Sequence, residues 1–204
     1  MTLSTAIASD GPLRQGGRPP AKGEVIPAQA QEPPPEIADP TPLDPASQKV
    51  ASRLTSAFRD SQLIPDGLTL DRGNELYYHE PFEFFVSDGR FVALANLRDR
   101  LGVTYFYVEV YWSTDRSRHG ECPPSMDTAW CESTVLDDGT RVTRLRSWIE
   151  DIGAVSESVA VVRPDGVQAF VHHTNSDRET TRKDLPLDVS HLVGFANLGA
   201  RSLI

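Results

Sequence analysis

The sequence has few cysteines, few histidines, no cluster of basic residues and no long apolar run. Its 204 residues include two cysteines and five histidines. Two cysteines exclude a scaffold built from several disulfides, and they exclude a zinc site made of four thiolates from one chain. No apolar run approaches the roughly 20 residues that span a bilayer. The sequence therefore predicts neither a cysteine-rich fold nor a transmembrane segment.

Positive charge is also scarce. Acidic residues outnumber basic ones by 29 to 20, which gives a formal charge of −9 and an isoelectric point near 5.0. Binding to nucleic acid or anionic lipid needs concentrated lysine and arginine, so we expect neither partner. The remaining composition, with 39% hydrophobic and 24% charged residues, is typical of a globular protein with a packed core.

Residues 1–45 differ in composition from the rest of the chain. They contain ten of the sixteen prolines and none of the sixteen aromatic residues, the first of which is Phe58. Without large apolar side chains, such a segment cannot bury enough surface to offset the entropy cost of ordering it. The sequence predicts a disordered Pro-rich linker at 1–45 and a single folded domain at 46–204.

The N-terminus lacks the features of a secretory signal, because Leu3–Ala8 is too short for an apolar core and no basic residue precedes it. Taken literally, the chain starts in the cytoplasm. A long Pro-rich spacer is nevertheless typical of the segment between a membrane anchor and an extracytoplasmic domain. Both locations stay open at this point.

Hydrophobic periodicity predicts a helix at each end of the domain. Asp44 and Pro45 form a capped helix start, with an end near Leu63, and a second helix covers Asp188–Leu198. Strand-like segments lie between them at Glu80–Val86, Arg90–Leu97, Val103–Trp112, Arg141–Ile149, Ser158–Arg163 and Val167–His173. This order predicts an α+β fold with a mainly antiparallel sheet of about six strands, an N-terminal helix and a C-terminal helix.

Local signals refine this sheet. Ser87-Asp88-Gly89 and Pro164-Asp165-Gly166 predict hairpin turns, because glycine accepts the positive φ that such turns need. Broken alternation in Arg141–Ile149 suggests a β-bulge there. His172 and His173 are adjacent in a predicted strand, so we expect their side chains on opposite faces.

Cys122 and Cys131 enclose a short loop that contains two prolines, which favours a local disulfide and an extracytoplasmic location. Two alternatives stay open, namely a pair of reduced cysteines or a thiol nucleophile. A zinc site formed with His119 is a weak third alternative, because the spacing matches no common zinc motif and no fourth ligand is evident. We expect no metal and no cofactor.

Several landmarks follow one another in a fixed order. They are Ile64–Leu68, the Cys122/Cys131 pair, Leu136–Val142 and Val162–Val167, and after them Asn175-Ser176 and Pro186-Leu187. In this order the chain resembles an uncharacterised actinobacterial extracytoplasmic domain that usually follows a membrane anchor and a Pro/Ala-rich linker. The preference for arginine (17 residues) over lysine (3 residues) fits the same source. The resemblance carries no activity, so it implies no catalytic residue.

No common catalytic motif occurs in the sequence. It contains no G-x-S-x-G nucleophile elbow, no phosphate-binding G-x-x-x-x-G-K-[ST] loop and no strand-to-helix G-x-G-x-x-G. Glu80, Glu83 and Glu109 fall in predicted strands, where alternation along an exposed face explains them. The enzyme alternative is a hydrolase-type site assembled from Glu83, Glu109, His172 and Cys131.

Aromatic residues are concentrated in neighbouring predicted strands. The candidate binding surface consists of Phe82, Phe84, Tyr105, Tyr107, Tyr111 and Trp112, with Phe85 and Phe91 nearby. Such residues form either a core against which helices pack or a surface that binds a ligand. We therefore hypothesise a non-enzymatic extracytoplasmic or surface-associated module that binds a partner protein or small ligand. The remaining alternative is a cytoplasmic scaffold that recruits partners through its Pro-rich arm.

Overall fold

A computed structural model describes residues 44–71, 80–114, 121–122, 128–149, 153–176 and 184–204. The predicted linker lies outside these ranges except for its last two residues, so its disorder and its use as a recruitment arm stay predictions. The described elements are α1 (Pro45–Arg59), β1 (Thr69–Asp71), β2 (Phe85–Ser87), β3 (Arg90–Asp99), β4 (Gly102–Trp112), β5 (Thr128–Val135), β6 (Arg141–Ile149), β7 (Ala154–Val162), β8 (Val167–Thr174) and α2 (Val189–Ser202).

Both helices begin where an aspartate caps them. Asp44 Oδ1 accepts hydrogen bonds from the backbone N–H groups of Ala46 (3.0 Å) and Ser47 (3.1 Å). Asp188 Oδ1 accepts from the N–H groups of Ser190 (2.9 Å) and His191 (3.1 Å). Each cap satisfies backbone donors that have no partner within the helix. The predicted start of the first helix is confirmed, while its end comes at Arg59 instead of Leu63.

All strand pairs are antiparallel, in the order β1-β3-β4-β8-β7-β6-β5, with β2 also paired to β3. The predicted α+β class is confirmed, but the expected number of about six strands is wrong because the sheet has eight strands within the described ranges. The two unexpected strands are β1 and β5. β1 is three residues long, and β5 has four polar residues among its eight and lacks the apolar alternation that marks a half-buried strand.

The two predicted hairpin turns connect β2 to β3 and β7 to β8. In the first turn, Asp88 and Gly89 have positive φ values of 49° and 74°, the combination that a tight hairpin turn requires. The bulge predicted for β6 is wrong, because the irregularity lies in the neighbouring strand β5. β6 pairs regularly with β7, and the register shift lies in β5 between Thr128 and Trp130.

The core lies between one face of the sheet and the two helices. Phe58 of α1, Phe106 of β4 and Phe195 of α2 meet there with Phe82, and their contacting ring centroids are 5.0 to 5.7 Å apart. Each of these rings is at most 1% exposed. Gly199 lets α2 approach the sheet, because a Cβ there would lie 2.9 Å from Cγ2 of Val110.

Candidate functional site

Alternation along β4 divides its side chains between two faces of the sheet. Phe106 and Val108 point towards the helices and belong to the hydrophobic core. Tyr105, Tyr107 and Glu109 point the other way, because successive side chains of a strand alternate. We call this second surface the open face, since neither helix packs on it. The cross-strand pairs place Gln168, Phe170 and His172 of β8 on the open face as well.

The predicted aromatic surface does not form a single surface. Phe82 and Phe84 are 0% and 4% exposed and lie in the core. The chain turns them inward before β2: Phe82 has a φ of 56°, its N–H donates to the carbonyl of Leu94, and the N–H of Phe84 donates to Thr55 Oγ1 of α1. The expectation that they join the tyrosines on one face is therefore wrong.

The other members of the predicted set lie on β4. Tyr105, Tyr107 and Tyr111 share the open face, where Tyr111 is buried and the other two are partly exposed. By alternation along β4, Trp112 lies on the face that the helices cover, and it is 51% exposed at the end of the strand. The flanking Phe91 belongs to the core, and Phe85 pairs with Val92 at the β2–β3 hairpin.

A carboxylate anchors the centre of the open face. Glu109 is 5% exposed, and its two oxygens have different partners. Tyr107 donates its hydroxyl to Glu109 Oε2 at 2.7 Å, and an Arg90 guanidinium nitrogen lies 2.8 Å from Oε1. The charges of Arg90 and Glu109 compensate each other, as a buried carboxylate requires. Burial raises the pKa of Tyr107, and the bond to Glu109 raises it further, so the phenol stays protonated.

A second tyrosine extends this network. Tyr111 donates its hydroxyl to Gln168 Oε1 at 2.9 Å. The guanidinium carbon of Arg90 lies 5.1 Å from the centre of the Tyr111 ring, within the range of a cation–π contact. Arg90 therefore contacts both Glu109 and Tyr111, and the network joins β3, β4 and β8 on the open face.

Three rings form what we call the aromatic strip: Tyr107, Phe170 and His172. The centroids of Tyr107 and Phe170 are 6.3 Å apart in an edge-to-face arrangement. Those of Phe170 and His172 are also 6.3 Å apart, with planes inclined by 13°. All three side chains are partly exposed. The strip thus presents ring surface to a ligand, and the hydrogen bond from Tyr107 to Glu109 holds Tyr107 in place.

His172 is uncharged at neutral pH. Burial lowers its pKa from 6.5 to about 4, and the neighbouring His173 contributes in the same direction. Its Nδ1 lies 2.9 Å from Ser158 Oγ, which fixes the orientation of the ring. The Nε2 atom is then the ring nitrogen that remains for a ligand, and it serves as one hydrogen-bonding group beside the apolar rings.

His173 lies on the opposite face, as predicted, and it is 0% exposed among core residues. Neither ring nitrogen has a hydrogen-bond partner among the described residues. Its Nε2 is 3.8 Å from Glu157 Oε2, which is too long for a hydrogen bond, and Glu157 Oε1 pairs with Arg146 at 3.1 Å. Burial lowers the pKa of His173 against the opposing effect of Glu157, so this imidazole is held neutral.

The structure does not bring together the four residues of the enzyme alternative. Glu109 and His172 share the open face, but Glu83 belongs to the segment that packs beside α1, where its Oε2 accepts from the N–H of Glu80. Cys131 is three strands away from His172, or about 14 Å at the usual strand spacing. Its sulfur is also bonded to Cys122, so it is not available as a thiolate nucleophile.

The Cys122–Cys131 disulfide is present. Cys131 of β5 pairs with Leu145 and therefore lies on the open face, so the disulfide holds residues 121–122 on that side. Glu121 also forms an exposed ion pair with Arg141 at 3.1 Å. His119 lies outside the described residues. Within the described ranges, no three His, Cys, Asp or Glu side chains are grouped so that they could hold a metal ion.

Sequence reasoning missed Arg90, Ser158, Gln168 and Phe170. Part of this site was predictable from the alternation of side chains along a strand, because Phe170 and His172 are two residues apart and must share a face. The missing information was the pairing of β4 with β8, although 54 residues lie between Trp112 at the end of β4 and Val167 at the start of β8. That long-range pairing is what brings Tyr107 beside His172.

No protein-family model, curated protein or solved structure matches the chain. None of the described helices combines the length and the apolar character needed to cross a membrane. The chemistry of the open face is therefore the basis for a functional proposal.

Proposed function

We propose that this protein is a non-enzymatic module that binds a partner protein or a small ligand through the open face of its sheet. The observation that carries the proposal is the aromatic strip. Tyr107, Phe170 and His172 keep part of their ring surface exposed, while buried hydrogen bonds and an ion pair fix the side chains around them. Binding sites commonly combine such apolar surface with a few fixed polar groups.

The charges of the face favour an uncharged ligand surface. Arg90 and Glu109 neutralise each other, and His172 carries no charge at pH 7. A charged ligand group placed on the strip would lose its hydration without gaining an opposite charge. We infer that the bound group is a neutral one with an apolar or planar side, such as a sugar ring or an uncharged peptide segment.

We further propose that the module acts outside the cytoplasm or at the cell surface. The disulfide supports this location, because disulfides persist in oxidising compartments. The test is the intact mass of protein purified from its own host, with thiols alkylated before and after reduction. We expect no adduct before reduction and two afterwards. Two adducts before reduction would contradict the proposed location and indicate the cytoplasm.

The binding proposal is tested on the full chain by amide NMR. Isotope-labelled protein is titrated with matched probes: neutral di- and trisaccharides against sugar phosphates, and capped neutral dipeptides against dipeptides that carry Glu or Lys. We expect neutral probes to shift resonances of β4 and β8, with the largest changes at Tyr107, Phe170 and His172. Charged members of each pair should cause smaller changes.

Two variants provide the controls. Phe170→Ser removes part of the aromatic strip, and Trp112→Ser removes an exposed aromatic side chain on the other side of the sheet. We expect Phe170→Ser to weaken probe binding several-fold and Trp112→Ser to leave it unchanged. Shifts that respond to Trp112→Ser instead, or no shift with any probe, would contradict the proposed binding face.

A further inference from the structure

Ser158 and His172 oppose each other across β7 and β8 on the open face. Ser158 Oγ lies 2.9 Å from Nδ1 of His172, and Ser158 is 7% exposed. Its hydroxyl has no other hydrogen-bond partner among the described residues. Which of these two atoms donates decides which ring nitrogen of His172 carries a proton, and therefore what the ring offers to a ligand.

The proton balance of this pair has one satisfied arrangement. His172 is neutral at pH 7, because burial lowers its pKa to about 4, so its ring carries a single N–H group. If Nδ1 donated that proton to Ser158, the serine hydroxyl would be buried without an acceptor among the described residues, which costs free energy. If Ser158 donates to Nδ1 instead, both groups are satisfied. The ring proton of His172 then lies on Nε2.

The Nε2 atom of His172 is accessible to solvent. It has no hydrogen-bond partner in the described ranges, and it is not one of the fully buried polar atoms that lack a partner there. Tyr107, which opposes His172 on β4, donates its only hydroxyl proton to Glu109, so towards a ligand it can only accept. Phe170 carries no polar group. The aromatic strip therefore offers one donor, the Nε2–H of His172, and one acceptor, the oxygen of Tyr107.

We propose that the aromatic strip binds a neutral secondary amide whose carbonyl oxygen accepts a hydrogen bond from His172 Nε2. The proposal rests on the proposed function and adds the chemical class of the ligand. An amide has one acceptor and one donor, which complement the two polar groups of the strip. It is also planar, and the rings of Phe170 and His172, inclined by 13°, present nearly parallel faces to a planar group. An acetamido sugar and a peptide backbone both carry this group.

The proton on Nε2 is tested by long-range proton–nitrogen NMR of the full chain at pH 7, with isotope-labelled histidine. This spectrum separates a protonated ring nitrogen from an unprotonated one. We expect Nε2 of His172 to be protonated and Nδ1 to be unprotonated. His172→Asn identifies the signals, because it removes them. A proton on Nδ1 in the wild type would overturn the proposal.

Ser158 acts as a positioning residue, and two variants test this role. Ser158→Ala removes the donor to Nδ1, so we expect a mixture of rings with the proton on either nitrogen. Ser158→Thr keeps a hydroxyl and should restore the proton to Nε2. Ser133→Ala is the matched control, because that hydroxyl lies on the same face but contacts Thr143 Oγ1 at 3.0 Å. Signals of His172 that respond equally to Ser158→Ala and Ser133→Ala, or to neither, would overturn the role of Ser158 and with it the basis of the proposal.

The ligand class is tested with pairs of neutral probes that differ in the amide group. Di-N-acetylchitobiose is compared with cellobiose, which has hydroxyl groups in place of the acetamido groups. A capped dialanine is compared with its isostere, in which a planar carbon–carbon double bond replaces the central amide. We expect the amide member to bind about three- to tenfold more tightly, the gain from one hydrogen bond. The pair with the larger difference shows whether a sugar or a peptide carries the amide.

His172→Phe provides the decisive variant, because it keeps a ring at this position and removes the donor. The difference within each pair should fall below twofold, with circular dichroism confirming the fold of the variant. Equal affinities within both pairs for the wild type, or a difference that persists in His172→Phe, would overturn the amide proposal and leave the binding face intact. Absence of binding by every neutral probe would instead contradict the proposed function itself.

Discussion

The helix-covered face and the open face of the sheet use aromatic side chains in different ways. Between the sheet and the helices, Phe58, Phe106 and Phe195 are at most 1% exposed, and the ring of Phe195 contacts the rings of both Phe58 and Phe106. On the open face, Tyr107 and His172 combine partly exposed rings with hydrogen-bonded polar groups. The first arrangement contributes apolar burial, which drives folding. The second leaves part of the rings of Tyr107 and His172 exposed, and it is therefore where we propose that a ligand binds.

Adjacent residues show the same contrast. His172 and His173 are neighbours in β8, yet the first has a hydrogen bond to Ser158 and the second has none among the described residues. One imidazole lies on a face where polar groups surround it, and the other lies among core side chains. The following predictions use matched changes on the two faces, from the largest expected effect to the smallest.

Truncation of one phenylalanine on each face should separate core from surface. Phe195→Ala removes a ring that contacts three other phenylalanines, and we expect it to lower the unfolding free energy by about 3–5 kcal/mol. Phe170→Ala removes a partly exposed ring, and we expect a loss of about 1 kcal/mol. Urea unfolding of both variants measures the difference. Equal losses would mean that the open face is part of the core.

Acid should destabilise the protein through His172. Its pKa is about 4 in the folded protein, below the ordinary 6.5, so the unfolded chain binds the proton first. The unfolding free energy should be highest above about pH 6.5, decline as the pH falls towards 4 by up to roughly 3 kcal/mol, and then level off. Burial also lowers the pKa of His173, so protonation of this second imidazole should add to the loss of stability in acid.

His172→Asn keeps an acceptor for Ser158 but cannot take up this proton. The decline in unfolding free energy between pH 6.5 and 4 should therefore become shallower in the variant, while its stability at pH 8 changes little. Urea unfolding at a series of pH values checks this. Identical pH profiles for wild type and variant would show that protonation of His172 does not cause the loss of stability in acid.

The disulfide should stabilise the β5 side of the open face. Cys122 and Cys131 are nine residues apart, and in the chain-entropy model a loop of this length contributes about 2–3 kcal/mol. Cys122→Ser with Cys131→Ser should therefore lower the unfolding free energy by that amount. The ion pair between Glu121 and Arg141 is exposed, so Glu121→Gln serves as a control with little effect. An unchanged stability of the double variant would mean that residues 121–122 are not held through the disulfide.

Replacement of the buried imidazole should have the smallest effect and the opposite sign. His173 has two buried nitrogens without hydrogen-bond partners among the described residues, and such groups cost free energy. His173→Leu removes them and should raise the unfolding free energy by about 1 kcal/mol. Thermal unfolding of the variant beside His172→Leu, which breaks the bond to Ser158 and should not stabilise, provides the comparison. A loss of stability in His173→Leu would indicate a role for the pair with Glu157.

Local chemistry made much of the fold predictable. Asp44 and Pro45 mark the start of α1 because a cap and a proline act within one helical turn. β6 begins and ends as predicted, at Arg141 and Ile149, and Asp88-Gly89 forms the turn expected of it. These features depend on neighbours in the sequence, so the sequence contains the whole signal.

Features that depend on distant contacts were not predictable in the same way. Phe82 and Phe84 alternate like strand residues, but contacts with Leu94 and Thr55 turn them into the core. β5 lacks an apolar alternation because one of its edges has no described neighbour and the side chains of Trp130 to Val135 are mostly exposed. The open-face network requires β8 to lie beside β4, and no local pattern indicates that neighbour.

The central claim is that the open face binds a ligand and is not needed for folding. The most direct measurement compares probe affinity and unfolding free energy in one double variant, Tyr105→Ser with Phe170→Ser. We predict that the tightest neutral probe binds at least tenfold more weakly, while the unfolding free energy falls by no more than about 2 kcal/mol. Unchanged affinity, or a variant that no longer folds, would contradict the claim.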